Sequence, residues 1–259
     1  VFAGARYFER LLTRFSVPEE LFGPLSLKAL EQDRYERLIQ GFLPTAHVAF
    51  LDEVFKANSA ILNALLTLLN EREFDNGDHR LRVPLIALVG ATNEVPTDDA
   101  LHAFFDRFLL RVPVEPVDDA HFMALLTLPD ATPAPAPRLS QGDVTALAAR
   151  AAGVALSDAV TAQLTALRTD CAAQQIHVTD RRWRKLVTLL KVQAATRGAD
   201  LADPWDLWVV PWVLAERPDQ CDAFVQAFDQ RVAKALPVQA EALERAVQAF
   251  EKQLELEIS

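Results

Sequence analysis

Val48-Ala49-Phe50-Leu51-Asp52-Glu53 decides the fold. With His47 it forms a short apolar run that stops at two acids, the pattern of a buried parallel strand. A strand of that kind delivers its last residues to the carboxyl edge of an open α/β sheet, where ligands bind. The first acid there can hold the water shell of a nucleotide-bound Mg²⁺. The second can take a proton from an attacking water. Taken alone, the hexamer is equally compatible with a strand that ends in a solvated Asp-Glu pair.

Reading outward, Asn58 or Ser59 can cap a helix in which Ile61, Leu62, Leu65, Leu66 and Leu69 recur at helical spacing. Glu73 to Asp78 follows, and its Asn76-Gly77 pair predicts a type I′ hairpin turn. Leu85 to Val89 predicts a second buried strand that leads into Ala91-Thr92-Asn93, and Leu109 to Val114 a third. A fourth strand is expected between Glu9 and Phe15. Asn93 could bind the attacking water or a terminal phosphate, although Asn is also a common turn residue. In Phe104-Phe105-Asp106-Arg107-Phe108, Arg107 has three readings: a surface cation, a partner of Asp106, or a charge offered to a neighbouring subunit.

Downstream, Pro129 to Pro137 holds four prolines in nine residues and predicts an extended linker. Helices are expected at 118–127, 143–152, 158–174, 181–197, 205–215, 219–235 and 240–257, with Thr179 or Asp180 capping the fourth. Leu243, Val247, Phe250 and Leu254 make a stripe suited to helix packing. Arg181-Arg182-Trp183-Arg184-Lys185 opens the 181–197 helix, where the helix terminus already favours anions. That cluster is either a phosphate contact or a solvated charged face.

Composition narrows the function. The chain has 259 residues, 51% of them hydrophobic and 24% charged, which suffices for a real core. With 26 basic and 36 acidic residues its net charge is -10, which argues against a nucleic-acid coat. No apolar run approaches the roughly 20 residues of a membrane span. Two cysteines outside any CxxC pair, and no secretory signal at the start, lead to a cytoplasmic expectation. The sequence contains no GxxxxGK[ST] phosphate loop, no GxGxxG and no GxSxG, and its five histidines form no HExxH pair.

In order, these signals run strand-Asp-Glu, helix, hairpin, strand-Asn, helix-Asp-Arg-Phe, strand, then a helical region with a basic helix start. That order resembles the AAA+ ATPases, and within them the MoxR family, RavA-type branch. The matching text includes Thr13-Arg14-Phe15-Ser16-Val17-Pro18-Glu19-Glu20-Leu21-Phe22-Gly23-Pro24-Leu25-Ser26, Arg34-Tyr35-Glu36-Arg37-Leu38 and Phe50-Leu51-Asp52-Glu53. It continues through Leu62-Asn63-Ala64-Leu65-Leu66, Asn70-Glu71-Arg72, Ala91-Thr92-Asn93-Glu94, Asp106-Arg107-Phe108 and Asp180-Arg181-Arg182-Trp183. It covers most of positions 5–235.

The resemblance implies an α/β AAA+ core with a mostly parallel sheet at 1–117, a helical lid at 118–215 and a helical extension at 216–259. It makes Asp52 and Glu53 the Walker B pair, with Asp52 supporting Mg²⁺ and Glu53 polarising water. Asn93 becomes sensor 1 and Arg107 the arginine finger acting on ATP in the next subunit. Arg181 becomes sensor 2, with Arg182 as the alternative by one residue of register. Segment 17–46 and the hairpin become inserts that face a pore or a client. The implied function is ATP hydrolysis coupled to remodelling or chaperoning of protein partners. The implied assembly is a homo-oligomeric, hexameric ring beside a protein with a von Willebrand factor A-type domain. The phosphate loop is expected upstream of Val1, so this chain alone is expected to be inactive and to bind nucleotide weakly or not at all. Two rival readings are a nucleotide-free scaffold of AAA+ shape and a DNA-associated motor.

Overall fold

Ala49 and Leu51 expose no surface at all, and Val48, Phe50 and Asp52 between and around them are half-buried. This is the burial of a strand covered on both faces. The computed structural model describes residues 2–93, 99–128 and 138–233. The chain divides into two compact units, Val1–Ala149 and Arg150–Ser259.

In the first unit, strand β1 (Tyr7–Leu11), β2 (Val48–Asp52) and β5 (Ala87–Gly90) form a three-stranded sheet in the order β1-β2-β5. Both pairings are parallel, with Leu11 opposite Asp52 and Leu51 opposite Gly90. All three strands therefore end at one edge. The connection from β1 to β2 carries two short helices, α1 (Pro18–Phe22) and α2 (Leu27–Leu30). The connection from β2 to β5 carries helix α3 (Ser59–Glu71) and a hairpin of β3 (Glu73–Asn76) and β4 (His79–Arg82).

Helix α3 begins where the Asn58 side chain accepts the Ile61 N–H (3.1 Å). The Asn58 amide also donates to the Ser16 carbonyl (2.8 Å), which ties the helix start to the chain leaving β1. Ile61, Leu62, Leu65 and Leu68 of α3 are buried against Phe8, Leu12, Phe22, Leu43 and Leu51. Each such side chain contributes roughly 1.5–3 kcal/mol. Helix α4 (Asp99–Phe105) adds Phe104 to the same core, and α5 (Asp119–Leu126) follows.

Four expectations shift. The strand expected at Glu9 to Phe15 lies at Tyr7–Leu11, because the Ser16 hydroxyl accepts the Thr13 N–H (3.1 Å) and turns the chain. The hairpin turns on Gly77-Asp78, one residue later than read, with Asn76 still in β3 opposite His79. Gly77 has φ +68°, the position where a type II′ turn wants glycine. Asn76, outside the turn, binds a distant strand of backbone instead. Its side chain accepts the Arg37 N–H (2.6 Å) and donates to the Arg37 carbonyl (3.1 Å). Residues 109–114 form no strand among the described residues. Val112 and Val114 are 64% and 90% exposed, and Pro113 has no N–H to give a ladder. The fourth concerns 205–215, treated with the second unit below.

The second unit contains the end of α6 (Gln141–Gly153), then α7 (Asp158–Ala173), α8 (Asp180–Thr196), α9 (Val210–Leu214) and α10 (Pro218–Phe228). Two-residue strands β6 (Ala155–Leu156) and β7 (Leu201–Ala202) pair in parallel. The helix expected at 205–215 is split into a 3₁₀ turn, Pro204–Val209, and α9. Pro211 lacks the N–H that a continuous helix would use there. Thr179 caps α8 by accepting the Arg182 N–H (3.2 Å). The 129–137 linker and the 240–257 helix lie outside the described residues.

Gly23, which ends α1, has φ +90°, and an added Cβ would lie 2.1 Å from the Leu38 carbonyl oxygen. Gly41 has φ +85° but an added Cβ would meet nothing within 4 Å. Gly23→Ala is therefore expected to cost about 3–5 kcal/mol and Gly41→Ala about 1–2 kcal/mol. Urea unfolding of the two variants checks this, and equal losses would count against the close packing at Gly23.

Candidate functional site at the carboxyl edge of the sheet

The end of β2 is cross-linked to the end of β5. The Ala91 N–H donates to the Leu51 carbonyl (2.9 Å), and the Val54 N–H returns to the Ala91 carbonyl (3.1 Å). Between them, Glu53 turns the chain with φ +51° and ψ +43°. A left-handed conformation costs a non-glycine residue about 1–2 kcal/mol, so the surrounding bonds must hold it. One of them is local: the Asp52 carboxylate accepts the Glu53 N–H (2.9 Å).

This turn brings Glu53 to Asn93, forty residues on. The Asn93 amide Nδ2 donates to Glu53 Oε1 (2.8 Å). The same oxygen lies 2.9 Å from Lys56 Nζ. Glu53 is only 16% exposed at its side chain and Lys56 is 54% exposed. Asp52, Glu53 and Asn93 thus share one edge, as three of the sequence-selected residues. Lys56 was missed by sequence reasoning. Its signal was the spacing of three: Val54–Lys56 is a 3₁₀ turn, and 3₁₀ geometry eclipses residues i and i+3.

Arg107 follows α4, half-buried, and its guanidinium donates to the Ala103 carbonyl. Asp106 faces Arg111 (3.8 Å), whose guanidinium lies 3.8 Å from the centre of the Phe105 ring. Aromatic packing joins this segment to the turn after β2. The Phe55 ring meets Phe104, Phe105 and Phe108 edge-on, at centroid distances of 5.9, 5.7 and 6.5 Å. Gly90 makes room for this: an added Cβ would sit 2.9 Å from the Phe108 ring.

Arg181 and Arg182 belong to the second unit, at the start of α8, and have opposite surroundings. Arg181 is exposed. Arg182 is 3% exposed and donates to the Val213 carbonyl (2.6 Å), at the end of α9. Its guanidinium is a packing element of the helical unit.

The donor set at the sheet edge is carboxylate and amide oxygen, hard ligands of the sort Mg²⁺ accepts through retained waters. Asp52 fits that requirement. Neither cysteine offers a nucleophile: burial pushes the Cys171 thiol up to about 11 and raises that of Cys221. Among the described residues the other trio of ligating side chains, Glu36, Asp78 and His79, lies at the hairpin, where Glu36 already pairs with Arg34. No described helix is long and apolar enough to cross a membrane.

Residues 1–136 match the family model described as the MoxR domain in the MoxR-vWA-beta-propeller ternary systems. Residues 159–228 match an AAA lid domain. Two uncharacterized proteins of Methanocaldococcus jannaschii are each 42% identical, over 217 and 207 residues. The alignments cover 83% and 80% of this chain and 58% and 54% of those proteins, so the chain spans little more than half the length of these relatives. A solved structure from Cytophaga hutchinsonii, described as that of a candidate ATPase, superposes with a TM-score of 0.65 at 17% identity. It covers 89% of this chain and 77% of that one, a likeness of fold.

The contrast between the two arginines can be measured. Arg182→Ala is expected to destabilise the helical unit by about 2–4 kcal/mol, through lost packing and an unsatisfied carbonyl. Arg181→Ala should change stability by less than about 0.5 kcal/mol. Chemical denaturation followed by circular dichroism reads both, and a large effect at Arg181 would reverse the assignment.

Proposed function

Because the chain belongs to the MoxR family of AAA+ proteins, we propose that it is the Walker B, sensor and lid region of an ATPase that remodels protein partners. One observation carries this reading: the Glu53–Asn93 hydrogen bond beside Asp52, at the edge where three parallel strands end. Such an edge is where a nucleotide sits in an open α/β sheet.

In this reading Glu53 takes the proton of the water that attacks the terminal phosphate of ATP. Asn93 orients Glu53 and the same water. Asp52 holds Mg²⁺, which when bound neutralises charge on the phosphates. Arg107 acts on the ATP of the adjacent subunit in a hexameric ring, a role that requires its guanidinium to leave the Ala103 carbonyl, while Phe55, Phe104 and Phe108 hold the segment that carries it. Arg181 is the lid contact to phosphate. The one-residue alternative, Arg182, is disfavoured by its burial against Val213.

The matching family model names systems that contain a vWA component, which supports a partner with a von Willebrand factor A-type domain. The client is a protein, and the setting we assign is the cytoplasm. The order of motifs favours the RavA-type branch. In this reading ATP and Mg²⁺ are the substrate and cofactor, and these 259 residues hold no GxxxxGK[ST] loop.

In the full-length protein, Glu53→Gln is expected to keep ATP binding and to lower hydrolysis by roughly 10²–10⁴. Hydrolysis at the wild-type rate would remove Glu53 from the mechanism. Arg107→Ala should likewise bind ATP and hydrolyse it about 10³–10⁵ more slowly. Mixing Arg107→Ala with Glu53→Gln subunits should restore part of the activity, because some interfaces then combine an intact base with an intact neighbouring arginine. A mixture that stays at the weighted average of the two inactive proteins at every ratio would refute action across the interface.

A further inference from the structure

We infer that Lys56 is a positioning residue, which holds one oxygen of the Glu53 carboxylate so that the other faces the water. The inference rests on the proposed role of Glu53 as the base, and adds a residue to it. Glu53 Oε1 accepts a hydrogen bond from Asn93 Nδ2 at 2.8 Å and lies 2.9 Å from Lys56 Nζ in an ion pair. The two partners come from different elements, the loop after β5 and the 3₁₀ turn after β2. Glu53 Oε2 has no hydrogen-bond partner among the described residues.

A carboxylate bonded at one oxygen by a single neutral amide can still rotate and exchange its partner for water. A cation beside the same oxygen adds a charge attraction that opposes that rotation and exchange. The backbone gives no slack either, since Glu53 sits in a left-handed conformation held by the Asp52 side chain and by the Val54–Ala91 bond. An ammonium suits this post because it has donors and no lone pair, so it never competes for the proton that the base takes up. The geometric tolerance for such a base is small, and a displacement of about 1 Å can cost 10²-fold in rate. The ion pair spans a single 3₁₀ turn, so its geometry is set locally and does not depend on a distant element.

The experiment compares steady-state ATP hydrolysis by full-length wild type, Lys56→Met, Lys56→Arg and Glu53→Gln. Lys56→Met is expected to lower kcat about tenfold and to leave the KM for ATP within about twofold, with an unchanged thermal midpoint. Lys56→Arg restores a donor cation and should keep roughly half or more of the wild-type kcat. A Lys56→Met enzyme as fast as wild type, or faster, would overturn the inference, the faster result meaning that the lysine restrains the base. So would a Lys56→Arg enzyme as slow as Lys56→Met, or a KM that rises in step with the loss of kcat. The Glu53→Gln arm separates the two levels. If that variant hydrolyses ATP normally, the base assignment itself fails. If it is inactive and Lys56→Met is not slowed, only the positioning role fails.

Discussion

Parallel pairing on both sides of β2 is the constraint from which the first unit follows. A strand with parallel neighbours on each edge cannot turn back on itself, and it needs long connections that return over the sheet. Those connections supply the core: α3 on one return, and the segment with α1 and α2 on the other. Because all three strands run the same way, their last residues lie together. The polar groups that a buried strand excludes along its length collect at that edge. Asp52, Glu53 and Asn93 meet for this reason, and the bonds between the ends of β2 and β5 hold them in register.

Much of this was legible before any coordinates. The run from Val48 to Glu53 reads as a strand, and Asn58 or Ser59 with the Ile and Leu residues that follow reads as a capped helix, for which the structure uses Asn58. What the sequence hides are choices made by tertiary partners. Asn76-Gly77 looks like a turn, yet Asn76 stays in its strand because it clasps the backbone of Arg37, thirty-nine residues away. Leu109 to Val114 alternates like a strand, but alternation provides no neighbour to bond with. At the site, Lys56 reads as an ordinary surface charge until the 3₁₀ turn brings it under Glu53. Arg181 and Arg182 are indistinguishable as text. Only the facing of α8 toward Val213 decides which one is buried.

The second unit solves a different problem. It is a small helical body that buries charge as well as apolar surface. Asp206 is almost fully buried and accepts the Asp203 N–H and the Arg197 guanidinium. The guanidinium also pairs with Asp203 (3.0 Å). Buried ionic groups are costly to desolvate, and removing one partner costs more than the pair contributes. Removing either Arg182 or Asp206 would leave a buried partner unsatisfied.

The left-handed backbone at Glu53 carries a stability cost that a different residue would reduce. Asparagine or glycine would occupy φ +51° with less strain, so selection for folding alone would drift away from glutamate there. Retention of an acid at this residue in any descendant is then a record of selection on something other than folding. A lineage in which the strained glutamate had given way to glycine would have kept the sheet and lost the carboxylate that meets Asn93.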